Sequence, residues 1–122
     1  MKHPCNLAMI IATLWAVVFS TALIAYAADA EQGKKLYGQF CVTCHGESGK
    51  GDGPAAAALN PKPRDHTNKE YMSQMSDEEM LKVIKNGGAS VGKSPLMPPW
   101  GASLKDDQIQ DVIAYIRTLC CK

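Results

Sequence analysis

Two cysteines and a histidine form the most distinctive pattern in the sequence: Cys41 and Cys44 enclose two residues, and His45 follows directly. A Cys-x-x-Cys-His motif is the usual attachment signature of c-type haem. Each thiol can add across one porphyrin vinyl group to form a thioether, and the histidine can then ligate the iron through an imidazole nitrogen. The motif therefore predicts one covalently attached haem c and iron redox chemistry.

Two other uses of a cysteine pair fit the sequence less well. A thioredoxin-like pair follows a buried strand, whereas residues 33–40, before the motif, are too polar for one. A structural zinc site needs a second ligand pair at suitable spacing. The only other cysteines after the first 27 residues are Cys120 and Cys121, which are adjacent to each other and distant from the motif.

The first 27 residues have the pattern of an export signal. A short positive region with Lys2 precedes an apolar run over residues 7–25, and Ala25-Tyr26-Ala27 supplies the small-x-small cleavage pattern. We expect cleavage after Ala27, with Ala30 as the alternative site, and a domain of residues 28–122 in the periplasm or another extracytoplasmic compartment. Because the apolar run approaches the ~20 residues that span a bilayer, an uncleaved membrane anchor is the alternative, and only then would the chain contact a membrane.

The charge balance narrows the choice of partner. One of the 13 Lys and Arg residues, Lys2, lies in the leader, which leaves twelve against 12 Asp and Glu. Balanced charge argues against nucleic acid as a partner and gives no strong electrostatic steering. A domain of this size has a marginal apolar core, so a covalently held haem would also be structural.

The remaining chain predicts an all-α fold with long loops. A first helix is expected over residues 28–40, with Gly33, Tyr37 and Phe40 on one face. A second helix is expected from a capping box of Ser76 and Glu79 to the glycines at 87 and 88. The last is expected over residues 105–119, with a buried stripe of Ile109, Val112, Ile113, Ile116 and Leu119. Residues 46–69 and 89–101 are rich in Gly and Pro and are predicted as loops, with one helical turn at residues 55–59.

Five residues are candidates for a second axial ligand opposite His45: Met72, Met75, Met80, Met97 and His66. Met80 lies on the apolar face of a predicted helix, where methionine is usually core. Met72 and Met75 lie in a polar segment and are expected at the surface or rim. Three prolines surround Met97 and restrict its backbone, so it is either a rigidly held ligand or an incidental methionine in a surface loop.

Several motifs in order give the chain a resemblance to a known family. They are Gly33-x-x-x-Tyr37, Cys41-Val42-Thr43-Cys44-His45-Gly46, Gly51-Asp52-Gly53-Pro54, Leu59-Asn60-Pro61-Lys62-Pro63, Met97-Pro98-Pro99-Trp100-Gly101 and Asp111-Val112-Ile113-Ala114-Tyr115-Ile116-Arg117. Over residues 30–120 the chain resembles a monohaem class I c-type cytochrome. The resemblance is close to the bacterial group that contains the haem-c subunit domains of cbb3-type oxidases.

The resemblance implies a small all-α fold whose first and last helices cross beside a covalently bound haem. It implies that Cys41 and Cys44 hold the haem, and that His45 and Met97 are the axial ligands of the iron. It also implies that the backbone carbonyl of Pro54 accepts the Nδ1–H hydrogen bond of His45, a contact that orients a ligating histidine. Gly33 and Tyr37 match the crossing positions of the first helix, and Val112 and Tyr115 match those of the last.

Two features depart from the family pattern. Lys105 stands where a Ser or Thr cap is expected, so Ser103 is an alternative N-cap. The chain ends in Cys120-Cys121-Lys122. Because adjacent Cα atoms lie about 3.80 Å apart, short of the usual ~4.4–6.8 Å of a disulfide, we expect free thiols or an intermolecular bridge. The chain is therefore expected to be a monomer, with a dimer linked through Cys120 or Cys121 as the alternative.

The function that follows from these features is electron transfer without catalysis. A single haem with His and Met ligation would shuttle one electron between extracytoplasmic respiratory partners, which would meet an exposed haem edge. No paired carboxylates or nucleophile–base pattern indicates an enzyme. One alternative is a haem-c subunit of a larger oxidoreductase or oxidase complex. Another is a haem enzyme or sensor with an open sixth site.

Overall fold

In a computed structural model of the protein, residues 26–121 are described. They form five α-helices and two short 3₁₀ turns, the turns at Ala56–Ala58 and Gly88–Val91. The helices are α1 (Ala30–Phe40), α2 (Val42–His45), α3 (Lys69–Gln74), α4 (Asp77–Asn86) and α5 (Asp106–Cys120). No strand occurs within residues 26–121, which confirms the predicted all-α class. The predicted export signal lies outside the described residues, apart from Tyr26 and Ala27.

Helices α1 and α5 cross in close contact. A Cβ atom at Gly33 would overlap the carbonyl oxygen of Asp111, so only glycine allows the two backbones to approach this closely. One turn further along, the rings of Tyr37 and Tyr115 meet edge to face, with 5.2 Å between their centroids. The predicted crossing of the first and last helices at these positions is confirmed.

The core lies between this crossing and α4. Its apolar stripe on α5 is as predicted, since Ile109, Val112, Ile113 and Ile116 are all at most 3 % exposed; Leu119 is half-buried. The capping box at the start of α4 is also confirmed: the Glu79 N–H donates to Ser76 Oγ, and the Ser76 N–H donates to the Glu79 carboxylate. Met80 is buried in the core, as its place on an apolar helix face predicted.

Ser103, the alternative N-cap, does not cap the last helix. α5 begins at Asp106, and the Lys105 N–H donates to Gln108 Oε1 at 3.0 Å. A lysine side chain cannot accept a hydrogen bond, so Lys105 does not cap the helix with its side chain. The Gln108 side chain, in the first turn, accepts from the backbone at this end instead. Leu104 is 4 % exposed and anchors the entry to the helix in the core.

Helix α3 was not predicted, and the surface position expected for Met72 is wrong. Asn68 caps the helix by accepting from the Tyr71 N–H, and Met72 is 2 % exposed. The Arg117 guanidinium donates to the carbonyl oxygens of Met72 and Met75 at 2.6 and 2.5 Å. A polar segment therefore becomes a helix whose end is held by a side chain 42 residues away.

The chain end also differs from the prediction. Cys120 and Cys121 are bonded to each other, with 3.7 Å between their Cα atoms. The helix ends at Cys120, and Cys121 leaves the helical conformation (φ −127°, ψ 29°), which brings the two adjacent side chains together. Neither sulfur is a free thiol, so the expectations of free thiols and of a dimer bridged through these residues are corrected. None of the helices within residues 26–121 has the length and apolar character needed to cross a membrane.

Candidate functional site

The Cys-x-x-Cys-His motif lies on a single helical turn directly after α1. The Cys41 N–H donates to Tyr37 O, and the His45 N–H donates to Cys41 O, both at 2.9 Å. Cys41 and Cys44 are half-buried free thiols, and His45 is 9 % exposed. Because a helix rather than a strand precedes the pair, the thioredoxin-like interpretation has no support in the fold. Within residues 26–121, no three His, Cys, Asp or Glu residues come together as metal ligands.

A backbone carbonyl orients the His45 ring. Its Nδ1 lies 2.9 Å from Arg64 O. Because a carbonyl only accepts, Nδ1 carries the hydrogen, and Nε2 keeps the lone pair that a metal needs. Burial lowers the pKa of His45, although its bond to the Arg64 carbonyl opposes this shift. The imidazole is therefore in the neutral, metal-binding form.

The expected acceptor for His45, the Pro54 carbonyl, is wrong. The residues on both sides of Pro54 bond to the backbone of the motif: the Gly53 N–H donates to Cys44 O and the Ala55 N–H donates to Thr43 O. This stretch therefore lies along the outside of α2, and Pro54 is exposed. The chain returns to the imidazole only at Arg64, ten residues later.

His66 lies beside His45, on the same side of the site. The two rings are stacked, with 4.2 Å between centroids and 17° between planes. The Tyr37 hydroxyl lies 3.1 Å from His66 Nδ1. Burial, followed by the neighbouring His45, lowers the pKa of His66 to about 3, so this ring is also neutral. Two stacked rings cannot approach a planar cofactor from opposite faces, which argues against His66 as a second axial ligand.

The motif opens into a cavity of about 670 Å³. This volume lies within the range of about 300–1,000 Å³ found for cofactor sites. Its wall is mainly apolar, and it contains Cys41, Cys44 and His45 together. Both sulfurs therefore border one space beside the imidazole, as a haem held by two thioethers and a histidine requires. Before a haem is attached, burial raises the pKa of the Cys41 thiol to about 12.

The charges on the cavity wall are all positive. Lys62, Arg64 and Lys93 line it, and no Asp or Glu of the described residues does. The Arg64 guanidinium lies over the Tyr71 ring, 3.9 Å from its centroid, and the Lys93 ammonium donates to the Tyr71 hydroxyl at 3.1 Å. An apolar space edged by cations fits haem, which is an apolar ring with two propionate groups.

Met97 reaches this cavity from the loop between α4 and α5. The Gly88 N–H donates to Met97 O at 3.0 Å, and the Trp100 N–H donates to Ile84 O at 2.9 Å, so both sides of the loop are fixed to the end of α4. Gly87 has a φ of +80°, which favours glycine, and lets the chain turn sharply there. Trp100 packs edge to face on Phe40 at 5.4 Å.

Four methionines line the cavity: Met72, Met75, Met80 and Met97. Met72 and Met80 are helical and at most 3 % exposed, as core side chains are. Met75 is half-buried at the end of α3, and Met97 is half-buried in the proline-rich loop. The fold therefore brings Met97 to the same space as His45, together with three other thioethers.

Sequence reasoning missed two contributions to the site. The carbonyl of Arg64 carries no residue-type signal, since any residue could supply it. The cavity position of Met72 could have been found from a clear signal: Asn68 is a good N-cap, and Tyr71, Met72 and Met75 have the i, i+1, i+4 spacing of one helical face.

Comparison with known proteins shows which family the chain belongs to. The family described as cytochrome c oxidase, cbb3-type, subunit III matches residues 28–116. Subunit FixP of the cbb3-type cytochrome c oxidase from Bradyrhizobium sp. (strain ORS 278) is 31 % identical over 91 residues, which are 75 % of this chain and 28 % of FixP. The chain therefore spans less than a third of the length of that relative. Cytochrome c-554(547) from Halothiobacillus neapolitanus is 35 % identical over 76 % of this chain and 99 % of its own length.

Two solved structures have the same fold. The KustC0563 c-type cytochrome superposes with a TM-score of 0.58 at 26 % identity, over 72 % of this chain and 96 % of its own. A chain of the Kuenenia stuttgartiensis reducing HAO-like protein complex Kustc0457/Kustc0458 gives 0.61 at 27 % identity, over 79 % of this chain and 44 % of its own. The chain belongs to the family of the cbb3-type cytochrome c oxidase subunit III, and it is a monohaem class I c-type cytochrome that binds haem c covalently.

Proposed function

We propose that this cytochrome is a one-electron carrier between extracytoplasmic proteins, with Cys41 and Cys44 holding the haem and His45 and Met97 as its axial ligands. One observation carries the proposal: a single apolar cavity is bordered by both thiols, by a neutral imidazole whose Nε2 is available, and by the Met97 loop. No acid–base pair borders the same space, since its ionisable residues besides the motif are His66, Tyr71 and three cations.

The residues around the cavity suit electron transfer because they hold their positions. When bound, haem supplies an iron that cycles between Fe(III) and Fe(II). His45 is held by the Arg64 carbonyl and by the stacked His66 ring. The Met97 backbone is held at Gly88 and Ser94. Two firmly positioned ligands leave no open site for a substrate, and a thioether ligand favours the reduced iron and a higher potential than two imidazoles.

The partner would meet the mouth of the cavity. Leu96 is 47 % exposed and lines the cavity, and Val91, on the same loop, is 37 % exposed. Exposed Pro98 and Pro99 follow. This apolar edge, on a cavity that Lys62 and Lys93 also line, suits the small and transient interface of redox encounters. We propose that redox proteins dock there.

The compartment and the domain limits are also proposals. Residues 1–27 would act as an export signal, and residues 28–122 would form the exported cytochrome domain in the periplasm or an equivalent compartment. The protein would contact a membrane only if the signal were retained. The small-x-small pattern at Ala25 and Ala27 supports cleavage.

The test is expression of the full chain in a bacterium that matures c-type haem. We expect one haem that survives acid–acetone extraction, the long-wavelength ferric band of iron–methionine bonding, and no reaction of the ferrous protein with carbon monoxide. The protein should exchange electrons reversibly with small redox proteins and show no peroxidase turnover. Rapid carbon monoxide binding by the unmodified protein would replace this proposal with an enzyme or sensor that has an open sixth site.

A second candidate function is that of a haem subunit in a larger oxidoreductase or oxidase complex. It is favoured by the relatives, since FixP is an oxidase subunit and one structural neighbour belongs to a protein complex. Purification of the tagged chain from its own organism under mild conditions distinguishes the two functions. A free carrier elutes as a monomer of about the size of its own chain, whereas a subunit elutes with stoichiometric partner chains.

A further inference from the structure

Asp111 is a buried carboxylate at the crossing of α1 and α5. Its residue is 4 % exposed, and the only other buried polar residue among the described ones is His45. The three ion pairs within residues 26–121 are Lys82–Glu78, Lys85–Asp106 and Arg117–Asp77, and none includes Asp111. A buried charge without a partner of opposite charge is costly.

The groups that do reach this carboxylate come from the segment before α1. The Asp29 N–H donates to Asp111 Oδ1 at 2.7 Å. The Tyr26 hydroxyl donates to the same oxygen at 2.5 Å. This carboxylate is the largest cause of a rise in the pKa of Tyr26 to about 12, so the phenol remains a donor. Tyr26 is itself 54 % exposed, so one of the two donors to this buried carboxylate is a side chain largely in solvent.

Tyr26 lies just before the expected processing site after Ala27. Three covalent bonds separate the nitrogens of Ala28 and Asp29, so these atoms are within about 4 Å of each other. The Asp29 nitrogen is already in contact with Asp111. A free amino group on Ala28 could therefore reach the carboxylate by rotation of one residue.

We propose that hydrolysis of the Ala27–Ala28 bond completes the fold by supplying the missing cation: the new α-ammonium of Ala28 pairs with Asp111 in place of the Tyr26 hydroxyl. Water is consumed, the carbon–nitrogen bond breaks, the departing leader keeps the Ala27 carboxylate, and Ala28 gains the amino group, which takes up a proton. The step needs only a peptidase that acts on exported chains. The inference rests on the export signal proposed above and not on the proposed redox role.

The local structure favours this bond over the one after Ala30. Residues 26–29 are exposed and non-helical, so a peptidase can reach them. Cleavage after Ala30 would remove Asp29, whose carboxylate accepts from the Glu31 and Gln32 N–H groups and caps α1. An N-cap of this kind stabilises a helix by roughly 1 kcal/mol. It would also remove the Asp29 N–H from Asp111 and begin the chain within the helix.

The first experiment determines the N-terminus of the haem-loaded protein purified after export, by intact mass and N-terminal sequencing. We expect the chain to begin at Ala28. A chain that begins at Met1 or at Glu31 overturns the proposal, because neither places an ammonium group beside Asp111.

The second experiment measures the ion pair itself. The variant Ala28→Gln, once processed, has an N-terminal glutamine that glutaminyl cyclase converts to a neutral lactam, with loss of ammonia visible in the intact mass. The folding stability of the same chain is then compared before and after loss of its N-terminal positive charge. We expect cyclisation to lower the folding equilibrium constant, measured by urea denaturation of the holoprotein, roughly tenfold, as for a hydrogen bond to a charged group.

Further substitutions in the Ala28→Gln protein separate the ion pair with Asp111 from other effects of the lactam. In Asp111→Asn, cyclisation should change the equilibrium constant less than twofold, whereas in Asp107→Asn, an exposed acid on the same helix, it should keep its tenfold effect. Equal effects of cyclisation with and without the Asp111 carboxylate overturn the proposal even if the chain begins at Ala28.

Discussion

The Nδ1 atom of His45 lies 2.9 Å from the carbonyl oxygen of Arg64, across 19 residues of loop. The orientation of the motif histidine therefore depends on the fold of residues 46–63, and not on the motif alone. The Gly51 N–H donates to His45 O at 2.8 Å, and the His66 N–H donates to Gly49 O at 2.6 Å, so the loop is fixed at both ends.

Pro54→Ala tests this arrangement. Because the Pro54 carbonyl is not the acceptor of His45, we expect the variant to keep the ferric spectrum and the midpoint potential. Arg64→Ala retains the carbonyl and should also keep His45 ligation, although it removes the cation over Tyr71. Spectra and potentiometric titrations of both variants are the measurement. A spectral change in Pro54→Ala alone would show that the Pro54 carbonyl orients His45.

Met97→Ala should open the sixth position. We expect loss of the long-wavelength ferric band and rapid carbon monoxide binding to the ferrous protein. Met97→His should keep six ligands and lower the potential, within the range of roughly 0.8 V that axial ligands span, because imidazole stabilises Fe(III) better than a thioether.

The other cavity methionines are the matched controls for Met97. Met80→Leu and Met75→Leu nearly conserve volume and should leave the band in place. If Met75→Leu abolishes the band and Met97→Ala does not, the ligand is the methionine at the end of α3.

Gly33→Ala should destabilise the protein, because the added methyl group overlaps the Asp111 backbone at the helix crossing. We expect a loss of roughly 1–3 kcal/mol in the free energy of unfolding, as for overpacking. Gly38→Ala is the control in the same helix. Nothing lies within 4 Å of a Cβ there, so it should add roughly 0.5–1 kcal/mol through helix propensity. Urea denaturation that gives both variants the same sign would contradict the close crossing.

Arg117→Lys should loosen the start of α4 and the end of α3. The guanidinium contacts Met72 O, Met75 O and the Asp77 carboxylate at once. An ammonium group cannot reproduce this fork, and we expect a loss of roughly 1–3 kcal/mol from the stranded carbonyls. Asp77→Asn removes only a pair with an exposed carboxylate and should cost at most about 1 kcal/mol. Equal losses in the two variants would assign the effect to the ion pair instead.

The double change of Cys120 and Cys121 to Ser should leave haem attachment, the visible spectrum and the potential unaltered. Neither residue lines the cavity. Both pack against the edge of the core, so a small loss of stability is the expected cost. Light scattering should give the same mass before and after the change. Loss of bound haem in the variant would show that the chain end supports the site.

The sequence was sufficient where a residue type has one physical use. The glycine at the helix crossing and the Ser76 capping box are of this kind, and both appear in the structure as predicted. The sequence was insufficient where a backbone group makes the hydrogen bond. The Arg64 carbonyl and the Lys105 N–H could belong to any residue, so no pattern points to them. Helix α3 has a sequence signal in its Asn68 N-cap, but nothing local shows that Arg117, which is distant in the sequence and near in space, holds its end.

The position of residues 26–29 has a consequence for architecture. They dock on α5 at Asp111, whereas the residue of α1 that lines the cavity is Phe40, at the other end of that helix. An 11-residue helix is about 16 Å long at 1.5 Å per residue. A segment joined before α1 therefore meets the domain at the Asp111 end of the helix, and not at the Phe40 end. A longer chain joined there would begin its contact with the domain about one helix length from Phe40.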